Sequence, residues 1–218
     1  MCSPHAGARA STGRAHRASL SPSRNRGTGR RSMGRGRFAA IPMLLLATAA
    51  VAHEPRVVAP GDGQPVPVPF HETTLLLSES DSAAGVSVYE FVVAPMSGGA
   101  PPHQHSQEDE FAYVLDGTLT LMFGDRTVEA GPGTLAALNR GTVHAFWNAT
   151  DQPVRTLFFV SRGGFERFFD AVAVSLREEP PADAADANAR VAEIAAAHGI
   201  DIRPELIPES VLPLYAPK

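Results

Sequence analysis

Eight short apolar segments between residues 73 and 162 constrain the fold of this chain more than any other feature. They are rich in Val, Leu, Phe, Tyr and Thr, and turn residues separate them at intervals of about eight to twelve residues. Short strands at that spacing predict an all-β sandwich or barrel. The pair Asp116-Gly117 predicts a tight hairpin turn between two of them. The expected strands lie in TTLLLSES, GVSVYEFVVAP, EFAYVLDG, TLTLMFGD, RTVEAG, TLAALN, HAFWNA and VRTLFFVSR.

The pattern changes to helix after Arg162. One apolar helical face predicts a helix that packs against the barrel, formed by Phe165, Phe168, Phe169 and Val172. A second helix is expected to begin near Asp186 and to stop at Gly199, and the proline-rich end predicts an extended strap. The expected organisation is an extended Pro-rich arm at residues 53–72, the barrel at 73–163, and C-terminal helices and strap at 164–218.

Residues 1–52 have the layout of a secretory signal peptide. Residues 1–37 contain nine arginines and no acid, and the apolar run FAAIPMLLLATAAVA follows them and ends in small residues. A basic segment, a short apolar core and a small-x-small end predict cleavage between Ala52 and His53. We therefore expect an exported protein, periplasmic or secreted, without stable membrane association after cleavage.

The processing of this segment has alternatives. Met33 begins a stretch that has the whole layout of a signal peptide by itself, so translation can start there. Arg30-Arg31 offers a twin-arginine signal, although the residues that follow fit that pattern poorly. An uncleaved membrane anchor is the remaining alternative, but the apolar run is short for a membrane span.

Charge excludes several functions for the chain after cleavage. The full chain has 19 basic and 23 acidic residues, and nine of the basic residues but none of the acids lie in residues 1–52. The remaining ten basic residues against 23 acids give a net charge of −13. A protein this acidic repels nucleic acid and anionic membranes. The single cysteine, Cys2, is also removed, which excludes cysteine nucleophiles and disulfides.

Two histidines in the segment PPHQHSQEDEFAYVLDG can share one metal ion. His103 and His105 are one residue apart, so on a strand their imidazoles point to the same side. If the strand continued without a break, its alternation would place Asp109 on the same face as His105. A turn between residues 105 and 110 would interrupt that alternation and could place Glu110 there instead. A third histidine, His144, is expected on a later short strand, in GTLAALNRGTVHAFWN, with Phe146 on its side and Trp147 on the other.

The first of these segments resembles the first conserved box of the cupin superfamily. That box has the form G, five residues, H-x-H, three or four residues, E, six residues, G. His103, His105, Glu110 and Gly117 are in register with it, and the leading glycine, Gly98, is one position closer. The six-residue step to Gly117 selects Glu110 as the acid, and leaves Glu108 and Asp109 as acids that either support the ligands from outside the set or are solvated.

The second segment resembles the second cupin box. Its form is G, five residues, P-x-G-x-x-H-x-x-x-N. Gly133, Gly141, His144 and Asn148 match, whereas Asn139 replaces the proline, a change in a turn rather than in a ligand.

The resemblance implies a cupin jelly-roll β-barrel with a short C-terminal helical extension and one divalent transition metal. The implied ligands are His103, His105, Glu110 and His144, with Glu110 also the catalytic base. Three imidazoles and one carboxylate suit Fe, Mn, Ni, Co or Cu, and Zn is a further candidate. Four protein ligands in an octahedral shell leave two positions for small molecules.

The C-terminal segments GGFERFF and ARVAEIAAAHGIDIRPE are similar to those of bacterial single-cupin proteins that resemble quercetin 2,3-dioxygenases. This resemblance implies a homodimer and a dioxygenase-type oxidoreductase acting on a small enolisable or flavonol-like substrate. The alternatives are a non-catalytic small-molecule-binding or metal-storage cupin, and a metal-dependent isomerase or lyase.

His71 and His198 have no partner at ligand spacing and are expected on the surface. The pocket-lining candidates are Tyr89, Phe91, Tyr113, Phe123, Phe146 and Phe158.

Overall fold

Two antiparallel β-sheets form the barrel in a computed structural model, which describes residues 54–216. Alternate side chains of each strand point inward, and both sheets contribute to one apolar core. The strands are β1 (Gln64–Pro65), β2 (Glu72–Leu77), β3 (Ser87–Val93), β4 (Ser97–Gly98), β5 (His103–His105), β6 (Glu110–Asp116), β7 (Leu119–Phe123), β8 (Arg126–Ala130), β9 (Leu135–Leu138), β10 (His144–Asn148), β11 (Val154–Val160) and β12 (Ile200–Ile202).

The strand order is that of a jelly-roll barrel. The first sheet has the order β1-β2-β3-β11-β6-β9, and the second has the order β12-β5-β10-β7-β8 with β4 paired to β10. Strands that follow each other in the chain, such as β5 and β6, lie in different sheets, as a jelly roll requires. All eight expected segments contain a strand, and the predicted all-β jelly-roll fold is confirmed.

The Asp116-Gly117 turn does not close a hairpin, and this prediction is wrong. The turn joins β6 of the first sheet to β7 of the second, so the chain crosses between the sheets there. Gly117 has a φ of 78°, and a Cβ atom at this position would lie 2.8 Å from the carbonyl oxygen of Pro153. The dipeptide therefore marks a backbone conformation that only glycine adopts easily, not the pairing of the strands beside it. The tight hairpin is the next connection, between β7 and β8, where Phe123 pairs with Arg126.

Two helices follow the barrel: α1 (Phe165–Glu178) and α2 (Ala184–Ala197). The predicted apolar stripe of α1 is confirmed, because Phe165, Phe168, Phe169 and Val172 are buried and join the barrel core. The α2 helix begins two residues earlier than expected, where the Asp183 side chain accepts a hydrogen bond from the backbone N–H of Asp186. The β12 strand then pairs with β5, so the C-terminal extension lengthens the second sheet beside the His103–His105 segment.

The C-terminal strap is not extended as predicted. It forms two 3-10 helices, Pro204–Leu206 and Glu209–Tyr215. Pro204 and Pro208 lie at their starts, where proline removes no intrahelical N–H partner, whereas Pro213 lies inside the second helix. The Tyr215 hydroxyl donates to the carbonyl oxygens of Ala100 and Phe146, which fixes the strap against the outer face of the second sheet.

The N-terminal arm contains no helix over residues 54–72, but it is not extended throughout: it turns at residues 59–62, and β1 then pairs with β2. Val66, Val68 and Phe70 are partly buried against the barrel core. The signal-peptide and cleavage predictions concern residues 1–53, which lie outside the described residues. Within residues 54–216, no helix has the length and apolar character needed to cross a membrane.

Candidate metal centre

Three strands from both sheets bring the four expected ligands together. His103 and His105 are the ends of β5, whose alternation buries both imidazoles and turns Gln104 away. His144 begins β10 and lies directly opposite His103 in the strand pairing. Glu110 begins β6 in the other sheet, so the carboxylate faces the three imidazoles across the barrel interior.

The four side chains form one compact, buried cluster. Each offers a ligand atom, and these atoms all lie within 4.8 Å of one another. The Glu110 Oε2 atom is 3.1 Å from His144 Nε2, and Oε1 is 3.6 Å from His105 Nε2. The residues are between 0% and 7% exposed, so bulk water is largely excluded from the cluster.

Backbone carbonyl groups orient two of the three imidazoles. His103 Nδ1 lies 2.7 Å from the carbonyl oxygen of Pro101, and His144 Nδ1 lies 2.9 Å from that of Thr142. A carbonyl oxygen can only accept, so both Nδ1 atoms carry the proton, and in the neutral form of each ring the Nε2 atom keeps a lone pair. These lone pairs are what a metal ion requires from neutral histidine.

The electrostatics of the cluster favour an ionised Glu110 but act in opposite directions on His103 and His105. Burial, together with the neighbouring His144 and His105, lowers the pKa of His103 to about 3. Burial on its own would raise the pKa of Glu110, yet the three surrounding imidazoles lower it to about 2. Burial lowers the pKa of His105, but the carboxylates of Glu110 and Glu108 outweigh it and leave this pKa raised.

This donor set fits a divalent transition metal. A buried carboxylate is costly without a compensating cation, and imidazoles in the neutral form that binds metal do not supply one. His105 Nε2 is buried and has no hydrogen-bond partner among the described residues, although it lies on the side of Glu110. A metal ion would satisfy both groups at once. The buried cluster can therefore hold a metal ion, and mixed imidazole and carboxylate donors suit the first-row transition metals.

Only one of the three neighbouring acids joins the cluster. Asp109 lies outside it and accepts hydrogen bonds from the backbone N–H, Nε and Nη2 of Arg140, which lower the pKa of Asp109 to about 2. The turn through residues 106–109 resets the strand parity, so Glu110 rather than Asp109 faces the histidines. Glu108 is buried beside His105, so of the two roles expected for it, support of a ligand or solvation, the structure excludes solvation.

Most of the proposed pocket-lining aromatics lie inside the barrel. Phe158 packs between Phe91 and Phe146, with ring centroids 4.6 and 5.0 Å away. Tyr89 is fully buried near them, and Phe123 lies opposite His144 in the pairing of β7 with β10.

Tyr113 does not line the barrel interior, and its assignment to the pocket is wrong. The alternation of β6 turns Glu110, Ala112 and Val114 inward and places Tyr113 on the outer face, where it is 37% exposed. Aromatic residue type alone does not reveal which face of a strand a side chain occupies.

His71 is a residue whose position the sequence reasoning missed. It was expected on the surface, but both ring nitrogens are buried and neither has a hydrogen-bond partner among the described residues. Its ring centroid is 4.4 Å from that of Phe91 and 5.6 Å from that of Phe146. The available signal was parity with buried Thr73, two residues further along the same extended segment. His198 instead lies at the end of α2, with Nδ1 2.9 Å from the carbonyl oxygen of Ile194.

Comparisons with known proteins agree with this architecture. Residues 89–160 match the family described as "Cupin domain". A putative germin-like protein 9-2 from Oryza sativa subsp. japonica is 32% identical over 99 residues, which cover 43% of this chain and 46% of that protein. The chain therefore spans about half the length of this curated relative.

Among solved structures, a polyketide cyclase from Streptomyces resistomycificus is 31% identical, with a TM-score of 0.43 over 50% of this chain and 80% of that chain. A sugar phosphate isomerase of the cupin superfamily from Silicibacter pomeroyi is 27% identical, with a TM-score of 0.37. That match covers 41% of this chain and 59% of the isomerase chain.

Proposed function

We propose, from the match of residues 89–160 to the family described as "Cupin domain", that the protein is an exported, metal-dependent dioxygenase of a small enolisable or flavonol-like substrate. The observation that carries the proposal is the buried cluster of three imidazoles and one carboxylate with an unpartnered His105 Nε2. His103, His105, Glu110 and His144 would hold one ion of Fe, Mn, Ni, Co or Cu, with Zn as a further candidate. When bound, such an ion supplies Lewis acidity toward an anionic substrate oxygen and, if redox-active, electrons for reaction with dioxygen.

Glu110 limits which substrates the centre can activate. Its lowered pKa keeps the carboxylate ionised at neutral pH, so it can accept a proton, but it also makes Glu110 a weak base. An acidic substrate hydroxyl therefore suits this carboxylate best. Enols and flavonols meet this condition, which supports that substrate class over simple alcohols.

The surroundings of the centre favour a planar, largely apolar substrate. Phe123 lies beside His144, and Phe146, two residues along the same strand, continues into the aromatic core with Phe91 and Phe158. Aromatic walls stack on unsaturated rings and exclude water from a reacting anion.

Metal analysis and oxygen consumption test the proposal together. The purified protein is expected to bind about one divalent ion per chain and, after loading with each metal in turn, to consume dioxygen with a panel of flavonols and other enols. Both atoms of ¹⁸O₂ should enter the product. Loss of substrate without oxygen uptake would instead indicate the isomerase or lyase alternative, and metal binding with no turnover across the panel would contradict catalysis of this kind.

Paired variants test the ligand assignment in the same assay. We expect Glu110→Ala to lose the metal and the oxygen uptake, because it removes the only carboxylate of the cluster. Asp109→Ala is the matched control, since Asp109 pairs with Arg140 outside the centre, and it should keep full occupancy. The opposite result, with occupancy lost only in Asp109→Ala, would show that the assigned register is wrong.

A non-catalytic metal-storage or small-molecule-binding cupin is the second candidate, and closure of the centre favours it. Phe165 of α1 covers His105 with ring centroids 5.5 Å apart, and none of the four ligand residues is more than 7% exposed. Structural metal sites are closed, whereas catalytic sites keep an open position. Tight metal retention without turnover of any substrate would support this alternative.

Export and self-association complete the proposal. Export rests on the signal-peptide layout of residues 1–52, and sequencing the amino terminus of the protein secreted by its host would test it. We also propose a homodimer, formed through the exposed apolar residues Phe111, Tyr113 and Leu135 on the outer face of the first sheet.

A further inference from the structure

Glu108 is a buried acid that the proposed reaction does not use. Its side chain is 2% exposed, and its Oε2 atom lies 3.4 Å from Nδ1 of His105. That distance is longer than a well-formed hydrogen bond, but neither atom has another hydrogen-bond partner in the part of the chain that the structure describes. A buried carboxylate without a partner is costly, so this pairing has to account for the burial of Glu108.

The pairing completes a pattern shared by the three histidines of the centre. Nδ1 of His103 and Nδ1 of His144 each face a backbone carbonyl oxygen, at 2.7 and 2.9 Å. His105 differs, because a carboxylate occupies the place of the carbonyl. A carboxylate is the stronger acceptor, and it brings a negative charge that a carbonyl does not.

The surrounding segment holds Glu108 in place. Gly163 packs against the Glu108 carboxylate so closely that a Cβ atom at this position would collide with it. Ser161 fixes the next residue from both sides: its backbone N–H donates to the carbonyl oxygen of Asp109, and its Oγ accepts from the Asp109 backbone N–H. The chain between β11 and α1 therefore clamps the carboxylate behind His105.

We propose that Glu108 is a positioning residue of the metal centre, which accepts the Nδ1–H of His105 and so directs the Nε2 lone pair toward Glu110. This inference rests on the metal-binding part of the proposed function, not on the dioxygenase reaction. Glu108 also places a second negative charge behind the ligand shell, so that Glu108 and Glu110 together match the charge of a divalent ion. Carboxylate partners of this kind raise the basicity of a ligating histidine.

The first test reads the tautomer of His105 directly in metal-free protein. Long-range ¹H–¹⁵N correlation spectra, recorded at alkaline pH where the imidazoles are neutral, should show His105 protonated at Nδ1 in the wild type and as a mixture of tautomers in Glu108→Ala. His103 is the internal control, because the carbonyl oxygen of Pro101 holds its tautomer in both proteins. An unchanged His105 tautomer in Glu108→Ala would overturn the proposal, whether or not the protein binds metal or reacts with dioxygen.

The second test measures metal affinity by competition with a chromophoric chelator, using Co(II) and Zn(II). We expect Glu108→Gln to bind about 10- to 100-fold more weakly than the wild type and to shift the visible spectrum of the Co(II) form. Asp109→Asn, which alters a neighbouring acid outside the centre, should stay within about twofold. Circular dichroism of the metal-free variants verifies that each is folded. Wild-type affinity and spectrum in Glu108→Gln would contradict the charge contribution, whereas a wild type that binds neither ion would contradict the proposed function instead.

Discussion

His71 shows how one residue can be misplaced by its sequence context. Three prolines between residues 65 and 69 predict an exposed arm, yet the chain after them turns His71 into the barrel, against Phe91 and Phe146. Burial lowers the pKa of His71 from 6.5 to about 4, so the imidazole is neutral in the folded protein at pH 5. The unfolded chain binds a proton there, and this difference makes stability depend on pH.

We expect the free energy of unfolding to fall as the pH decreases from about 6.5 to 4, and His71→Phe to remove part of that fall. Above pH 6.5 neither state protonates His71, so its contribution is constant. Below pH 6.5 only the unfolded state is protonated, which destabilises the fold by up to about 3 kcal/mol at pH 4. Urea unfolding of metal-free wild type and variant at pH 7, 5.5 and 4.5 measures the difference. Equal pH dependence in both would contradict a buried neutral His71.

The four metal-centre residues were predictable for a different reason. Spacing alone left Asp109 and Glu110 as alternatives, and the step from Glu110 to Gly117 decided between them. Gly117 needs a positive φ, so that position is fixed by backbone geometry rather than by the ligands. Nothing local indicates that Glu108 is buried, because its partner segment, Ser161 to Gly163, is more than 50 residues away in the chain.

Strands and helices followed from the sequence where one face of the element is buried. Apolar and polar residues alternate in β3 and β11, and α1 has one apolar stripe. These patterns follow burial directly, so the elements were predicted together with their inward-facing residues. The sequence pattern does not indicate which strands pair with each other. β12 has only three residues, and its hydrogen bonds come from pairing with β5. The Asp116-Gly117 dipeptide indicates the backbone conformation at the turn, but not which strands pair on either side of it.

The α1 helix closes one side of the centre through Phe165, and we expect Phe165→Ala to be strongly destabilising. The ring contacts Tyr89, Phe169 and His105, with centroids 5.8, 4.8 and 5.5 Å away. Its removal leaves a cavity that neighbouring strands cannot fill, at a cost of about 3–5 kcal/mol. Val174→Ala on the same helix is the control, because Val174 is 40% exposed and should change stability by less than about 0.5 kcal/mol. Similar losses in urea unfolding for both variants would show that α1 does not pack as described.

At the scale of the whole molecule, the outer face of the first sheet is apolar where water would favour polar side chains. Phe111 and Tyr113 of β6 are each 37% exposed, and Leu135, opposite Tyr113 on β9, is 64% exposed. Phe159 and Leu157 of β11 face Phe111 and Tyr113 from the other side, which makes the patch continuous. Monomeric proteins rarely expose patches of this kind, and a two-fold dimer would bury the same patch on both copies.

The proposed homodimer has to form against charge repulsion, which makes it testable by salt as well as by mutation. The chain after residue 52 carries a net charge of −13, so two copies repel each other at low ionic strength, and salt that shortens the screening length to about 10 Å should favour association. We expect Leu135→Glu to convert the dimer into a monomer in light scattering, because it replaces the most exposed side chain of the apolar patch with a carboxylate. Val128→Glu adds the same charge on the second sheet, where Val128 is 46% exposed, and should leave the dimer intact. Dissociation by both variants alike would attribute the effect to net charge, and a wild-type monomer at every salt concentration would contradict the homodimer.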